Sequence, residues 1–242
     1  MTVCAIHQPN LFPRLSTLGK LYSADVWIVL DNVQFCRRDY QHRCRLGRPE
    51  EPSGQQWLSL SVHLPHGRTT RITEARIVEP AQCQRRVLGM LRQHYGRSRH
   101  WRALESVVIG VSDMPVMTNR LPEITESSTR GLLDLLGWQG AVVRSSDFAI
   151  STGRSERLAD LTKAVGAETY LCGTGGAKYL DKYYFTQLGQ HVTYYRPPTP
   201  DTDEIWAEAS HLSAVSAIAN VGPERVQSAL ERLILDSPPG NH

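Results

Sequence analysis

Residues 3–31 read VCAIHQPNLFPRLSTLGKLYSADVWIVLD, and this stretch decides the fold class. Two short apolar runs, Val3–His7 and Val26–Leu30, are typical of buried strands. The segment Leu15–Tyr22 between them has the apolar spacing of a helix. A strand, a helix and a second strand in this order form a parallel unit, because the helix carries the chain back to the start of the sheet. The opening therefore predicts an α/β fold.

The rest of the chain continues the alternation of strands and helices. Further strands are predicted at Gln56–Val62, Arg71–Val78, Ala141–Arg144, Thr169–Leu171 and Val192–Tyr195. Further helices are predicted at Gln82–Tyr95, Trp101–Val108, Leu121–Leu136, Ser155–Val165, Tyr179–Leu188, Leu212–Ala219 and Pro223–Ile234. We expect a mainly parallel, Rossmann-like sheet flanked by helices, with a helical C-terminal part. One domain would cover residues 1–236, and the tail 237–242 would be disordered.

Composition sets broad limits on the class of protein. The 242 residues are 40% hydrophobic and 21% charged, which is a globular composition. No apolar run is long enough to cross a bilayer and the N-terminus has no secretory signal, so we expect a cytoplasmic protein without a membrane partner. The five cysteines include no CxxC pair, which argues against a disulfide framework. Cys36, His42 and Cys44 lack a second tight ligand pair, so neither a metal site nor a cofactor is expected.

The positive charge lies in the first half of the chain. Residues 1–121 hold 17 basic and 9 acidic residues, and arginine outnumbers lysine 23 to 4 in the whole chain. The block Arg37–Arg48 follows a predicted strand, and we interpret it as an anion site for a phosphate-bearing small molecule or carrier. The block Arg85–Arg102 is interpreted as a solvated helix surface. Nucleic acid is a minor alternative, because no recognisable binding motif accompanies the arginines.

Three polar residues stand where predicted strands end: His7, Asp31 and Cys172. Parallel sheets bind ligands beyond the carboxyl ends of their strands, so we expect these residues in one catalytic site. Cys172 would be the nucleophile, with its pKa lowered by a helix N-terminus, His7 the base, and Asp31 the residue that orients the imidazole. The amides of Gly173, Gly175 and Gly176 would form an oxyanion hole. A histidine bonded to the backbone and a buried cysteine in a tight turn are the structural alternatives.

The combined motifs resemble the WbqC-like protein family. The resemblance is carried by Ala5–Asn10, Ala24–Phe35, Tyr40–Arg43, Ser155–Leu158, Gly166–Gly173 and Tyr179–Asp181, and it covers nearly the whole chain. Local departures include Arg14, where the family usually has tryptophan. The resemblance implies a biosynthetic enzyme of a polysaccharide or natural-product pathway, with no fixed reaction. The residues of these motifs that we expect to bind substrate are Gln8, Gln34, Tyr40, Gln41, Arg43, Ser155, Tyr179 and Asp181.

The roles of two of these residues can be stated more closely. Arg43 would hold a phosphate, and Ser155 would either cap a helix or contact a ligand phosphate. The leading functional interpretation is acyl or aminoacyl transfer from a carrier thioester to an amine, with a carrier-protein phosphopantetheine as partner. One alternative is a nucleotide or nucleotide-sugar transferase. The other is a non-catalytic module that binds a carrier protein or RNA.

Overall fold

The computed structural model describes residues 1–48 and 51–235. Its strands are β1 (Val3–His7), β2 (Val26–Val29), β3 (Arg43–Leu46), β4 (Gln56–Ser59), β5 (Val62–His63), β6 (Arg76–Ile77), β7 (Ala141–Arg144), β8 (Thr169–Cys172) and β9 (His191–Tyr194). Its α-helices are α1 (Leu15–Tyr22), α2 (Pro80–Tyr95), α3 (Trp101–Met117), α4 (Leu121–Leu135), α5 (Arg154–Ala164), α6 (Tyr183–Gln187), α7 (Ala214–Val221) and α8 (Pro223–Leu235).

Five strands form a parallel sheet in the order β7-β2-β1-β8-β9. The chain starts in the middle with β1 and adds β2 and β7 on one side. It then crosses to the other side of β1 and adds β8 and β9. The direction of winding therefore reverses between β1 and β8, which makes that position the switch point of the sheet. The predicted α/β fold with a mainly parallel, helix-flanked sheet is confirmed.

The two faces of the sheet are buried in separate apolar clusters, because successive side chains of a strand point to opposite faces. Ala5 of β1 and Leu171 of β8 belong to the larger cluster, which also holds Leu18 of α1. Cys4 of β1 and Cys172 of β8 belong to the smaller cluster, which also contains residues of α5 and α6. The sheet is thus covered by helices on both sides.

One predicted strand is wrong, and one strand was not predicted. The segment Arg71–Val78 is mostly not a strand, because a 3-10 turn occupies Ile72–Glu74 and only Arg76–Ile77 pairs, with β5. Part of the arginine block Arg37–Arg48 forms the unpredicted strand β3, which pairs with β4 in an antiparallel hairpin. By contrast, the interpretation of Arg85–Arg102 is confirmed, since all six of its arginines are exposed on or between α2 and α3.

Within the described residues, no helix is long and apolar enough to cross a membrane. The tail predicted at 237–242, like residue 236, lies outside the described residues.

Candidate functional site

The switch point brings together residues from the ends of β1 and β8 and from α1. His7 is the last residue of β1, and Cys172 is the last residue of β8. Lys20, in the last turn of α1, reaches over the end of β1. In sheets of this kind the crevice at the switch point is where ligands bind. These three side chains therefore define the candidate site.

Lys20 is a buried lysine without a carboxylate partner. Its side chain is only 5% exposed. Nζ donates to the carbonyl oxygen of Ile6 at 2.9 Å and lies 3.2 Å from Nδ1 of His7. None of the ion pairs formed by the described residues includes it. Burial lowers the pKa of Lys20 to about 8, because the charged amine loses its hydration without gaining a negative neighbour.

His7 is neutral in this setting. Burial, followed by the positive charges of Lys20 and Arg14, holds the pKa of His7 well below its usual range. Its second ring nitrogen, Nε2, lies 3.1 Å from the side-chain nitrogen Nδ2 of Asn10. If Nδ2 donates to Nε2, the ring hydrogen is on Nδ1 and faces the Lys20 amine; if the Lys20 ammonium donates to Nδ1, the ring hydrogen is on Nε2 and the Asn10 amide turns its oxygen toward it. Lys20 and Asn10 thus fix the orientation of the imidazole.

Cys172 is fully buried on the other face of the sheet from Ala5 and Leu171. The expectation that its pKa is lowered is wrong: burial raises the pKa of the Cys172 thiol. Hydrogen bonding from the Tyr170 hydroxyl and the charge of Lys20 act in the opposite direction. The ring nitrogens of His7 face Lys20 and Asn10, so the predicted direct His7–Cys172 pair is not formed. The group whose charge reaches Cys172 is Lys20.

The glycine-rich turn after β8 covers the thiol. A Cβ atom added to Gly176 would lie 2.7 Å from Sγ of Cys172, so only glycine fits there. The amide of Gly176 donates to the Gly173 carbonyl at 3.0 Å and is not available as the predicted oxyanion donor. The amides of Gly173, Thr174 and Gly175 have no hydrogen-bond partner among residues 1–48 and 51–235. These amides, but not that of Gly176, are the donors that a ligand could use.

Asp31 does not orient His7, which corrects the sequence-based expectation. Its carboxylate accepts hydrogen bonds from the Ser145 hydroxyl at 3.0 Å, the Ser146 amide at 3.0 Å and the Ser146 hydroxyl at 2.8 Å. Asp31 is buried and follows β2, whereas the serines follow β7. Its negative charge is therefore used to hold the loop after β7 against β2.

The segment that holds Arg43 is linked to the end of β1 through Gln41. Gln41 donates to the side-chain oxygen of Gln8, the residue after His7, at 2.7 Å. Arg43 lies over the Trp57 ring at 4.3 Å and donates to backbone carbonyl groups of its own loop. Tyr40 packs beside the same Trp57. Arg43 is thus held by local contacts, and its predicted phosphate contact stays a prediction.

The remaining motif residues make structural contacts. Gln34 donates to the Arg68 carbonyl at 2.6 Å. Gly153, not Ser155, is the N-cap of α5, so the capping role predicted for Ser155 is wrong. The Ser155 hydroxyl instead accepts a hydrogen bond from the amide of Asp181 at 3.0 Å, which ties the start of α5 to the segment after the glycine turn.

Tyr179, the last of the motif residues, is half exposed, with the Arg154 guanidinium 4.4 Å above its ring. Neither Cys36, which is exposed, nor Cys44, which is buried in β3, belongs to a metal-binding cluster, and the described residues contain no such group.

The comparisons with known proteins match nearly the whole chain. Residues 8–228 match the WbqC-like protein family. The chain belongs to the WbqC-like protein family. A WbqC-like relative is the uncharacterized protein Rv1507c of Mycobacterium tuberculosis (strain ATCC 25618 / H37Rv), which is 23% identical over 226 residues. That alignment covers 93% of this chain and 96% of the relative. No solved structure matches this WbqC-like chain.

Family membership associates the chain with biosynthesis and leaves its reaction open. Two residues of the site were not predicted from the sequence, Lys20 and Tyr170. Lys20 carries the only charge in the otherwise apolar or small α1 segment LSTLGKLY, and that is a signal the sequence did contain. Tyr170 precedes Cys172 by two residues and so points to the same face of β8.

Proposed function

We propose that this WbqC-like protein is a biosynthetic transferase that moves an acyl or aminoacyl group from a carrier thioester to an amine through Cys172. The observation that carries the proposal is that the buried Lys20 lies against Gly173, the residue that follows Cys172, so that its charge acts on the thiol. The positive charge of Lys20 and the hydroxyl of Tyr170 both favour the thiolate, which is the nucleophilic form.

Acyl transfer through Cys172 involves no net gain or loss of protons, so it needs no external base. The Cys172 sulfur attacks the thioester carbonyl, the carrier thiol leaves, and the proton lost by Cys172 ends on the leaving sulfur. An amine then attacks acyl-Cys172, the amide forms and the thiol is restored. The Gly173 amide, one of the donors expected from the sequence, is the donor for the oxyanion of each tetrahedral intermediate. His7, being neutral and held by Lys20, acts as a positioning residue in place of the base first assigned to it.

Burial of Cys172 sets a condition on this chemistry. The thiol is covered by Gly176, so the turn 173–176 must move for a thioester to reach the sulfur. The same burial disfavours the thiolate before substrate arrives. Reaction at Cys172 therefore requires a substrate that opens the turn, which fits a thioester delivered on a long phosphopantetheine arm.

Trapping of the acyl-enzyme tests this proposal. The protein is incubated with acetyl and glycyl thioesters of pantetheine 4′-phosphate, and its intact mass is measured. We expect one added acyl group, located on Cys172 by peptide mass mapping and absent from Cys172→Ala. Cys36→Ser, which removes an exposed thiol, is the matched control and should keep the adduct. An adduct that persists in Cys172→Ala, or no adduct with either thioester, would contradict the proposal.

The strand order supports a nucleotide-sugar or nucleotide transferase as a second candidate. Sheets that reverse their winding beside the first strand bind nucleotide phosphates at that point. Thermal unfolding with ATP and with UDP-glucose tests it. A rise in Tm that depends on nucleotide concentration favours this candidate, and an unchanged Tm counts against it.

A further inference from the structure

Lys20 leaves part of its hydrogen-bonding capacity and all of its charge unmatched within the chain. An ammonium group has three N–H donors. Nζ donates to the Ile6 carbonyl oxygen and lies 3.2 Å from Nδ1 of His7, and both partners are uncharged. No carboxylate of the described residues lies within 4.0 Å of it. A cation at this depth is costly unless an anion joins it.

The neighbouring charges add to this imbalance. The charged groups that act on His7 are Lys20 and Arg14, and both are positive. The strand-end carboxylate of Asp31 is already bound by the two serines after β7. Nε of Arg14 is itself buried without a hydrogen-bond partner among the described residues. The end of β1 is thus a buried, positively charged region without its counter-charge.

The glycine turn after β8 lies directly beside this charge. A Cβ atom added to Gly173 would lie 3.3 Å from Cδ and 3.5 Å from Nζ of Lys20, so the turn backbone lies against the lysine side chain. The next two amides, of Thr174 and Gly175, have no partner among the described residues. Successive free backbone amides beside a cation favour a negatively charged oxygen ligand.

We propose that Lys20, with the amides of Thr174 and Gly175, is the receptor for an oxyanion carried by the substrate, either a phosphate or a carboxylate. This inference rests on the proposed transferase function and names the chemical class of what it binds. A phosphate would come from a nucleotide or a phosphorylated acceptor, and a carboxylate would come from an amino-acid or sugar-acid substrate. The bound oxyanion supplies the counter-charge that the chain lacks.

Sulfate and acetate distinguish the two sources. Both keep a constant charge between pH 7 and pH 9.5, and their binding is measured by calorimetry at fixed ionic strength. If only sulfate binds, the anionic group of the substrate is a phosphate, and if only acetate binds, it is a carboxylate. Binding of both ions supports the oxyanion chemistry that the two groups share. If neither sulfate nor acetate binds, the proposal is overturned.

Two variants and a control locate the binding. Lys20→Met removes the charge and should lower the affinity for the ion at least about tenfold, the usual effect of losing a charge-assisted hydrogen bond. Lys163→Met removes an exposed lysine of α5 and should leave the affinity unchanged. Should Lys20→Met fail to fold, Asn10→Asp places a carboxylate beside His7 and should abolish binding by occupying the positive region. Unchanged affinity in either site variant contradicts the assignment.

The pH dependence of sulfate affinity tests the proposal independently. The groups that face Lys20 are His7, which stays neutral, and the thiols of Cys4 and Cys172, whose pKa values are raised by burial. Lys20, with its pKa at about 8, is the group that loses its charge in this range. Sulfate affinity should therefore fall about 30-fold from pH 7 to pH 9.5, the change in the protonated fraction of such a group. A flat profile contradicts the proposal.

The two proposals fail separately. Cys172→Ala should bind sulfate or acetate like the unaltered protein, because the thiol is not a donor to the ion. Anion binding at Lys20 without any acyl-enzyme would support the oxyanion receptor and refute acyl transfer. An acyl-enzyme without anion binding would support acyl transfer and refute the receptor.

Discussion

Substitution of Lys20 by methionine should change how the stability of the protein depends on pH. Folding lowers the pKa of Lys20 from 10.5 to about 8, so between these values the unfolded chain binds a proton that the folded protein does not. The free energy of unfolding therefore rises with pH across this window. At pH 7 the buried charge costs about 3 kcal/mol, and at pH 9.5 it costs about 1.4 kcal/mol.

Comparison with Lys20→Met isolates this effect. The variant also loses the hydrogen bond to the Ile6 carbonyl, but that loss contributes equally at every pH. The difference in unfolding free energy, unaltered protein minus variant, should therefore rise by about 2 kcal/mol from pH 7 to pH 9.5. Urea unfolding followed by circular dichroism measures it, with Lys163→Met as the control whose difference stays flat. A flat difference for Lys20→Met would refute the claim that Lys20 is an uncompensated buried cation.

Three further predictions concern the neighbours of Lys20. The His7 imidazole should show no titration between pH 6 and pH 8 by NMR, and its pKa should rise in Lys20→Met because a positive neighbour is lost; an ordinary titration curve contradicts this. Gly176→Ala should lower stability by about 1–3 kcal/mol by overpacking against Cys172, whereas Gly175→Ala, where a Cβ meets nothing within 4 Å, should be nearly neutral in thermal unfolding. Asp31→Asn should destabilise the protein by about 1–3 kcal/mol without moving the His7 NMR signals, and a shift of those signals would restore Asp31 as the orienting residue.

The sheet could be predicted from the sequence because its strands are short apolar runs. Val3–His7 and Val26–Val29 follow from their composition, as does Ala141–Arg144. Their order could not be predicted, since the pairing of β1 with β8 joins residues more than 160 positions apart. The strand β3 was missed because its alternating arginines resemble a charged loop, although Cys44 and Leu46 face the core.

The candidate site was predicted only in part. His7 and Cys172 follow from the rule that ligands bind at strand ends. Their separation onto opposite faces depends on the register of two strands, which no local pattern reveals. Lys20 was missed because a lysine in a short helix is usually a surface residue, and its burial results from packing of α1 over the end of β1.

The position of a bound oxyanion tests the central claim most directly. Crystals soaked in selenate would reveal the ion by the anomalous signal of selenium. The account predicts a peak within hydrogen-bond distance of Nζ of Lys20 and of the Thr174 and Gly175 amides. A peak only at the exposed arginines of α2 and α3, or none at Lys20, would contradict it.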